Sequence, residues 1–208
     1  MTGSFNARQA LQRLARLPPA EYLGLAWWNW QRRKPLGNFW LAPHFFVVGC
    51  GHSGTSILLA LLDNHSGVWA IRGESGFFMA PSPIRAFTAY QWRSQWKRKR
   101  GVFAEKTPSH VYYLKEIRES FPNAVIVGIS RHPLDNVASL YKRRGQLEFA
   151  MDRYTKDNVA LLQGASDGYL NVWVRYEDLV CQPVESMKRI LEAGELEMES
   201  NVLLNQGR

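Results

Sequence analysis

The sequence predicts an α/β domain in which helices flank a mainly parallel sheet as three layers. Short apolar runs rich in β-branched and aromatic residues alternate with longer segments typical of helices, and this alternation favours parallel strands. The clearest runs, residues 45–48 and 124–129, have the length of buried strands. The chain has 208 residues and is 46% hydrophobic, which suits a single domain with a full core.

The first forty residues predict a helical extension that precedes an α/β domain spanning residues 41–208. A helix is expected from about Phe5 to Leu17, ended by two prolines. Residues 22–34 combine tryptophans with a basic end, and a packing helix is favoured over contact with a membrane surface. The start of the chain has no signal-peptide h-region, and no apolar run approaches the ~20 residues of a spanning helix. We therefore expect no transmembrane segment.

The remaining elements are predicted from the apolar runs and from the turn-forming residues that separate them. Beyond residues 45–48, strands are predicted at 68–71, 102–104, 124–129 and 171–174. Helices are predicted at 57–62, 109–121, 134–141, 149–163 and 183–193, and residues 77–89, with two prolines, are expected to be irregular or a short helix. The basic run at residues 91–100 includes Trp92 and Trp96. It favours a solvated helix face over a nucleic-acid-binding surface.

The most informative motif is the glycine-rich segment Gly49 to Ser56, between the first strand and the helix that follows. Glycines let the backbone approach an anion, and the N–H groups at a helix N-terminus add partial positive charge. The P-loop pattern G-x-x-x-x-G-K-[ST] is matched by Gly49, Gly54 and Ser56. The segment therefore predicts a P-loop NTPase-like fold with a cradle for a phosphate-like anion.

Two features expected of an NTP hydrolase are missing. The lysine that normally reaches the β- and γ-phosphates of a triphosphate is absent, because Thr55 occupies its position in the P-loop. Where P-loop NTPases place an acid for Mg²⁺, the strand at residues 124–129 leads into Ser130 and Arg131. We therefore expect an anionic ligand with less charge than an NTP–Mg²⁺ complex, and no metal site.

Several polar residues follow the predicted strands. Because ligands bind beyond the carboxyl ends of parallel strands, the glycine-rich loop should share one sheet edge with Glu74, Lys106, Arg131 and Tyr176. Ser139 lies eight residues after Arg131, a little over two helical turns, and can face the helix start. This pair predicts a second anion site or, with equal weight, an arginine that caps a carbonyl beside an ordinary serine.

These residues together resemble the sulfotransferases that use 3′-phosphoadenosine 5′-phosphosulfate. The family's 5′-phosphosulfate loop resembles residues 51–56, and its 3′-phosphate motif resembles residues 129–139. Further matching stretches are residues 62–68, 105–108 and 174–179. The resemblance covers about Phe45 to Leu191 and is nearer to the bacterial and protein-tyrosine branches than to the cytosolic small-phenol branch.

The resemblance implies a reaction and roles. An acceptor hydroxyl or amine would attack sulfur in line, and adenosine 3′,5′-bisphosphate would leave. Glu74 is implied as the general base, and Lys106 would stabilise charge on the leaving phosphate. The residues implied for binding 3′-phosphoadenosine 5′-phosphosulfate are Gly51, His52, Ser53, Gly54, Thr55, Ser56, Arg131, Ser139 and Tyr176.

Two positions depart from the family pattern. Where the family usually has lysine or arginine before Ser-Gly-Thr, this chain has His52, whose charge near neutral pH depends on its surroundings. The hypothesis is that His52 supports catalysis and that activity rises as it protonates. At the other end, the family has a basic glycine-containing segment that closes over the 3′-phosphate, whereas this sequence stops at Arg208, so we expect either a reduced segment or a truncated enzyme.

Composition keeps two other functions open. The net charge of +8 suits nucleic acid, an anionic membrane or a small anionic ligand. A small-molecule kinase with a degenerate P-loop and a non-catalytic module for nucleic acid or other anions are therefore alternatives to the sulfotransferase, which ranks above both, and no nucleic acid is expected as partner. Cys50 and Cys181 match no metal pattern or disulfide framework, which favours a reducing, cytoplasmic compartment.

Overall fold

Five parallel strands form the central sheet in the computed structural model, which describes residues 37–99 and 101–203. The strands are β1 (Phe45–Gly49), β2 (Val68–Ala70), β3 (Val102–Lys106), β4 (Val125–Ser130) and β5 (Val172–Arg175). Their order is β2-β3-β1-β4-β5, and every neighbouring pair is parallel. The α/β prediction is confirmed. The chain moves to opposite sides of β1 for its later strands, so the switch point of the sheet lies at the glycine-rich loop.

Helices connect and cover the strands. They are α1 (Gly37–Leu41), α2 (Thr55–Asp63), α3 (Ser82–Lys99), α4 (Leu114–Ser120), α5 (Pro133–Arg144), α6 (Leu147–Ser166), α7 (Tyr176–Cys181) and α8 (Pro183–Ala193). Short 3₁₀ turns occur at Phe77–Met79, Pro108–Tyr112 and Ser200–Leu203. None of the described helices combines the length and apolar character that crossing a bilayer requires.

Apolar side chains pack on both faces of the sheet. One face carries an aromatic cluster that includes Phe46, Phe103 and Phe121. The other carries an aliphatic cluster that includes Val47 and Leu58 together with residues of α8. Because both faces are covered, β1 is buried at every position, which explains its continuous apolar sequence. The three-layer arrangement agrees with the prediction.

The irregular segment or short helix predicted at residues 77–89 differs from the structure from Ser82 onward, where the long helix α3 begins and continues through the basic run. Pro83 lies in the first turn of α3, where a missing N–H is tolerated, so it starts this helix rather than preventing it. Trp92 is buried on the core side of α3 and stacks on Phe77, with ring centroids 4.8 Å apart. The described part of the run therefore lies on a helix, as the favoured interpretation of a helix face held, but Trp92 packs into the core.

Other predicted boundaries differ in smaller ways. The helix expected at residues 109–121 is divided at Tyr113, whose φ of −128° is not helical. Helix α7 was not predicted, because its six residues follow β5 without a turn signal. The predicted helix from Phe5 to Leu17 and the segment 22–34 lie outside the described residues, so the division at residue 40 stays a proposal.

Candidate active site

The glycine-rich loop turns sharply from β1 into α2. Gly49 has φ of +146°, and a Cβ there would lie 2.2 Å from the Ile129 carbonyl oxygen, so only glycine allows β1 to pass β4 this closely. Gly54 has φ of +98° and is the N-cap of α2. His52 also has positive φ, at +65°. The first N–H groups of a helix lack intrahelical acceptors, so the start of α2 faces the cleft as an anion-binding end.

Ser53 differs from the other loop residues because it points into the protein. Its buried hydroxyl donates to the carbonyls of Cys50 and Ile129 at 2.7 and 3.2 Å. Its amide donates to the same Cys50 carbonyl at 3.3 Å. Ser53 therefore fixes the loop against β4, and it does not line the cleft beside the loop.

A cleft of about 390 Å³ lies over the carboxyl ends of β1, β3 and β4. It brings together the predicted site residues that lie far apart in sequence. Those lining it are Gly51, His52, Gly54, Thr55, Ser56, Glu74, Lys106, Arg131, Ser139 and Tyr176. The sequence-based expectation of one shared sheet edge thus agrees with the geometry.

One wall of the cleft carries the second predicted anion site. Arg131 follows β4, and its Nη1 donates to the His52 carbonyl at 3.3 Å. The Arg131 guanidinium stacks on the Tyr176 ring, 4.6 Å from its centroid. Ser139, on α5, has its hydroxyl 3.0 Å from His52 Nδ1. The carbonyl contact makes Arg131 part of the loop's support while its guanidinium still lines the cleft.

The His52 ring lies between Ser139 and Arg143, and these two partners define which ring nitrogen carries the proton. Arg143 Nη1 is 3.5 Å from His52 Nε2. Because a guanidinium only donates, Nε2 is the acceptor, and Nδ1 carries the proton donated to Ser139. Burial, followed by the charges of Arg143, Arg131 and Arg153, lowers the pKa of His52, against a smaller opposing effect of Glu74. A neutral His52 is therefore favoured around neutral pH.

The opposite wall holds a carboxylate and an amine in contact. Lys106 ends β3 and is largely buried, and its Nζ donates to Glu74 Oε1 at 3.0 Å. Glu74 comes from the loop after β2, and about half of its side chain is exposed. The pair places a proton acceptor and a cation side by side at the cleft, which the start of α2 also lines.

Arg143 and Arg153 are among the cleft arginines that sequence reasoning missed. Arg143 lies one helical turn after Ser139 and lines the same wall, a position that helical periodicity could have revealed. Arg153, on α6, is held by the buried Asp157 and donates to Ser109 Oγ at 3.0 Å. The position of the Arg153 side chain depends on how α6 packs, so no local sequence pattern indicated that it lines the cleft. Both add positive charge to the cleft.

No group of three or more histidine, cysteine or acidic side chains suited to a metal ion occurs within residues 37–99 and 101–203. The cleft's charged lining is dominated by cations instead, with Lys106, Arg131, Arg143, Arg144 and Arg153 facing the single carboxylate of Glu74. Such a lining attracts anions and strengthens their hydrogen bonds.

The fold and this cleft define an α/β protein with a cation-lined cleft at the turn after its central strand. A family profile described as "Sulfotransferase family" matches residues 70–200, more than half of the chain, and the chain belongs to that family. It is therefore an enzyme that transfers sulfuryl groups. This result favours the sulfotransferase prediction over the kinase and binding-module alternatives. Comparison with curated protein sequences gave no match.

Solved structures share the fold at low sequence identity. The sulfotransferase domain of the Synechococcus PCC 7002 olefin synthase is 17% identical, with a TM-score of 0.64, and the match covers 78% of this chain and 76% of that domain. The sulfotransferase domain from the curacin biosynthetic pathway is 17% identical, with a TM-score of 0.61 and coverage of 81% and 79%. Mouse sulfotransferase SULT7A1, solved with PAP, is 16% identical, with a TM-score of 0.51 and coverage of 81% and 64%.

Proposed function

We propose that this sulfotransferase takes the sulfuryl group from 3′-phosphoadenosine 5′-phosphosulfate and transfers it to a hydroxyl or amine acceptor. One observation carries the proposal. A single cleft has the glycine-rich loop at its floor, the Arg131–Ser139 wall on one side and the Glu74–Lys106 pair on the other. Two separated anion sites suit a nucleotide that has phosphates at both its 3′ and 5′ positions.

The loop and the first turn of α2 would hold the 5′-phosphosulfate. The amides of Gly54, Thr55 and Ser56 lie at the N-terminus of a nine-residue helix, where N–H groups lack intrahelical partners. The hydroxyls of Thr55 and Ser56 line the same cleft and can donate to phosphate oxygens. Ser53 would contribute only by fixing the loop, because its hydroxyl and amide are bonded internally.

The Arg131–Ser139 wall would hold the 3′-phosphate. Arg131 and Arg143 offer guanidinium groups, and Ser139 between them offers a hydroxyl. Because His52 Nδ1 donates to Ser139 Oγ, the serine keeps its own proton to donate to a phosphate. Tyr176 would act indirectly by stacking on Arg131 and so orienting the guanidinium.

Transfer would occur between the loop and the Glu74–Lys106 pair. Glu74 would remove the proton of the acceptor as its oxygen or nitrogen attacks sulfur. The bond between sulfur and the bridging phosphate oxygen would break, and Lys106 would stabilise the negative charge that grows on that oxygen. Adenosine 3′,5′-bisphosphate would leave, and the sulfated acceptor would carry the sulfuryl group.

Calorimetric titration with adenosine 3′,5′-bisphosphate, without metal, tests this proposal. We expect wild type to bind and Arg131→Ala to bind about 10- to 100-fold more weakly, because charge-assisted hydrogen bonds contribute roughly 1.5–3 kcal/mol. Arg189→Ala is the control, since Arg189 is an exposed arginine of α8 away from the cleft. A folded wild type that does not bind the bisphosphate would refute the proposed co-substrate.

A cytoplasmic location of the protein stays a prediction.

A further inference from the structure

We infer that Glu105 is a positioning residue that sets Glu74 against Lys106 through a buried hydrogen-bond network. The inference rests on the proposed function, in which Glu74 is the base. Glu105 lies on β3 immediately before Lys106, and its side chain is fully buried. A buried carboxylate is unfavourable unless it is well bonded, so its partners show what it holds.

Four donors surround the Glu105 carboxylate. Ser75 approaches Oε1 with its hydroxyl at 2.6 Å and with its amide at 3.4 Å. The Thr107 hydroxyl donates to the same oxygen at 2.5 Å. His110 Nδ1 lies 3.1 Å from Oε2. Burial raises the pKa of Glu105, but the contacts with His110, Ser75 and Thr107 outweigh it and lower the pKa, so the group stays ionised.

The same network continues along the segment that follows Glu74. The Gly76 amide donates to Thr107 Oγ1 at 3.2 Å, and the Phe77 amide donates to Ser75 Oγ at 3.1 Å. The Phe78 amide donates to His110 Nε2 at 3.3 Å. Because Nε2 accepts, Nδ1 carries the proton that His110 donates to Glu105. Consecutive amides after Glu74 are thus fastened to side chains next to Glu105.

Strand geometry connects this network to the cleft. Successive residues of a strand point to opposite faces, so Glu105 shares the face of Phe103, while Lys106 shares the face of Ala104. Along the neighbouring loop, Ser75 contacts Glu105 and Glu74 contacts Lys106. Two consecutive loop residues, Glu74 and Ser75, therefore contact two consecutive residues at the end of β3, with one contact on each face of the strand. Glu74 cannot shift along β3 unless the bonds of Ser75 to Glu105 break.

This arrangement predicts an effect on catalysis that exceeds an effect on folding. A misplacement of about 1 Å can lower a rate roughly 10²-fold. Loosening Ser75 would displace Glu74 from the attacking acceptor and from Lys106 at the same time. The nucleotide-binding wall at Arg131 and Ser139 belongs to other elements and should not be affected.

Ser75→Ala and Glu105→Gln test the inference, with Ser66→Ala and Glu199→Gln as matched controls. Ser66 Oγ donates to Glu199 Oε1 at 2.5 Å, so the controls remove a serine–glutamate bond of the same kind outside the cleft. With 2-naphthol as probe acceptor, we expect kcat to fall about 10²-fold in both test variants. Affinity for adenosine 3′,5′-bisphosphate should remain that of wild type, and the controls should match wild type in both measurements.

A double-mutant cycle separates positioning from folding. If Ser75 acts through Glu74, Ser75→Ala causes no further loss of kcat in a Glu74→Gln background. Equal losses in the two backgrounds would overturn the inference and leave Glu105 with a purely structural role. Because Ser75→Ala removes a single hydroxyl, it also serves if Glu105→Gln does not fold.

A second measurement requires neither nucleotide nor acceptor. The Lys106 side chain is about 10% exposed and its Nζ lies 3.0 Å from Glu74 Oε1, so its labelling by an amine reagent, followed by mass spectrometry, should report on this contact. We expect Ser75→Ala, Glu105→Gln and Glu74→Gln each to increase labelling several-fold, and Ser66→Ala not to. Unchanged labelling in Ser75→Ala and Glu105→Gln would overturn the inference. Increased labelling in a protein that does not bind the bisphosphate would support the positioning role and refute the proposed co-substrate instead.

Discussion

His52 Nδ1 lies 3.0 Å from Ser139 Oγ, which joins the glycine-rich loop to helix α5 across 87 positions of sequence. The two anion sites predicted from separate motifs are therefore fixed relative to each other by a direct contact. Two fixed sites favour a ligand whose two anionic groups have a matching separation, because little conformational entropy is lost on binding.

The protonation of His52 gives the first prediction. Its pKa is lowered by burial and by neighbouring arginines, so His52 should be mainly neutral between pH 6.5 and 8. We expect His52→Gln to leave the shape of the pH–rate profile unchanged over this range. Activity of wild type that rises toward pH 6.5, and does not rise in His52→Gln, would instead support the sequence-based hypothesis of a protonated His52.

The conformation of Gly54 gives the second. In Gly54→Ala, the alanine would have to adopt φ near +98°, and its Cβ would lie 2.4 Å from Tyr176 Cδ2. We expect affinity for adenosine 3′,5′-bisphosphate to fall at least about tenfold, because strain of roughly 1–3 kcal/mol would move the amides at the start of α2. Gly168→Ala is the control: its φ is +74°, but no atom lies within 4 Å of the added Cβ. Calorimetry on both variants compares them, and equal affinities would contradict the expectation.

The Glu74–Lys106 pair gives the third. Glu74→Gln removes the proton acceptor while keeping the shape of the side chain, so kcat should fall by about 10²–10⁴-fold. Lys106→Met should also lower kcat, because it removes the cation that faces the leaving oxygen. The exposed pair Lys115 and Glu119, 3.9 Å apart, provides Lys115→Met and Glu119→Gln as controls. A Glu74→Gln enzyme with wild-type kcat would exclude Glu74 as the base.

The buried His44 gives a prediction about stability. Its Nε2 donates to the Phe39 carbonyl, its Nδ1 accepts from the Phe103 amide, and burial lowers its pKa to about 3. The unfolded chain then binds a proton near pH 6.5 that the folded chain does not, so stability is complete above pH 6.5 and falls toward pH 3. This one group can account for up to about 5 kcal/mol over that range.

Unfolding free energies of wild type and His44→Gln, measured by urea from pH 7.5 to 4.5, test this expectation. Wild type should lose up to about 1.4 kcal/mol more per pH unit below pH 6.5 than the variant does. The variant should be less stable at pH 7.5 because the bonds of His44 to Phe39 and Phe103 are altered, so the diagnostic quantity is the difference in slope. His132→Gln, which changes an exposed histidine, should keep the wild-type slope.

The strands could be predicted because each is a short apolar run, and the three central strands β1, β3 and β4 are buried on both faces. The start of α3 could not be predicted from the sequence. Proline ends some helices and occurs in the first turn of others, and only packing distinguishes these two positions. Trp92 belongs to the core because α3 lies on the aromatic cluster, a contact that needs the whole fold. The order of strands likewise depends on pairing between segments distant in sequence.

The predicted site residues share one cleft because the glycine motif fixes the switch point, and strand ends deliver Lys106 and Arg131 beside it. Local sequence did not reveal the role of Glu105. An acidic residue next to a lysine at a strand end is expected to be solvated, and its burial follows from the loop after β2 crossing over β3. Arg143 was missed for a simpler reason, since the pattern that selected Ser139 was not extended by one turn.

The central position of β1 also affects how the molecule is made. Of the five described strands β1 comes first in the chain, yet it pairs with β3 and β4, which are synthesised about 60 and 80 residues later. A nascent chain that has left the ribosome only as far as α3 carries the glycine-rich loop on a strand with neither neighbour available. Such non-local pairing is slow, so this apolar strand should be a chaperone-binding segment until β4 emerges.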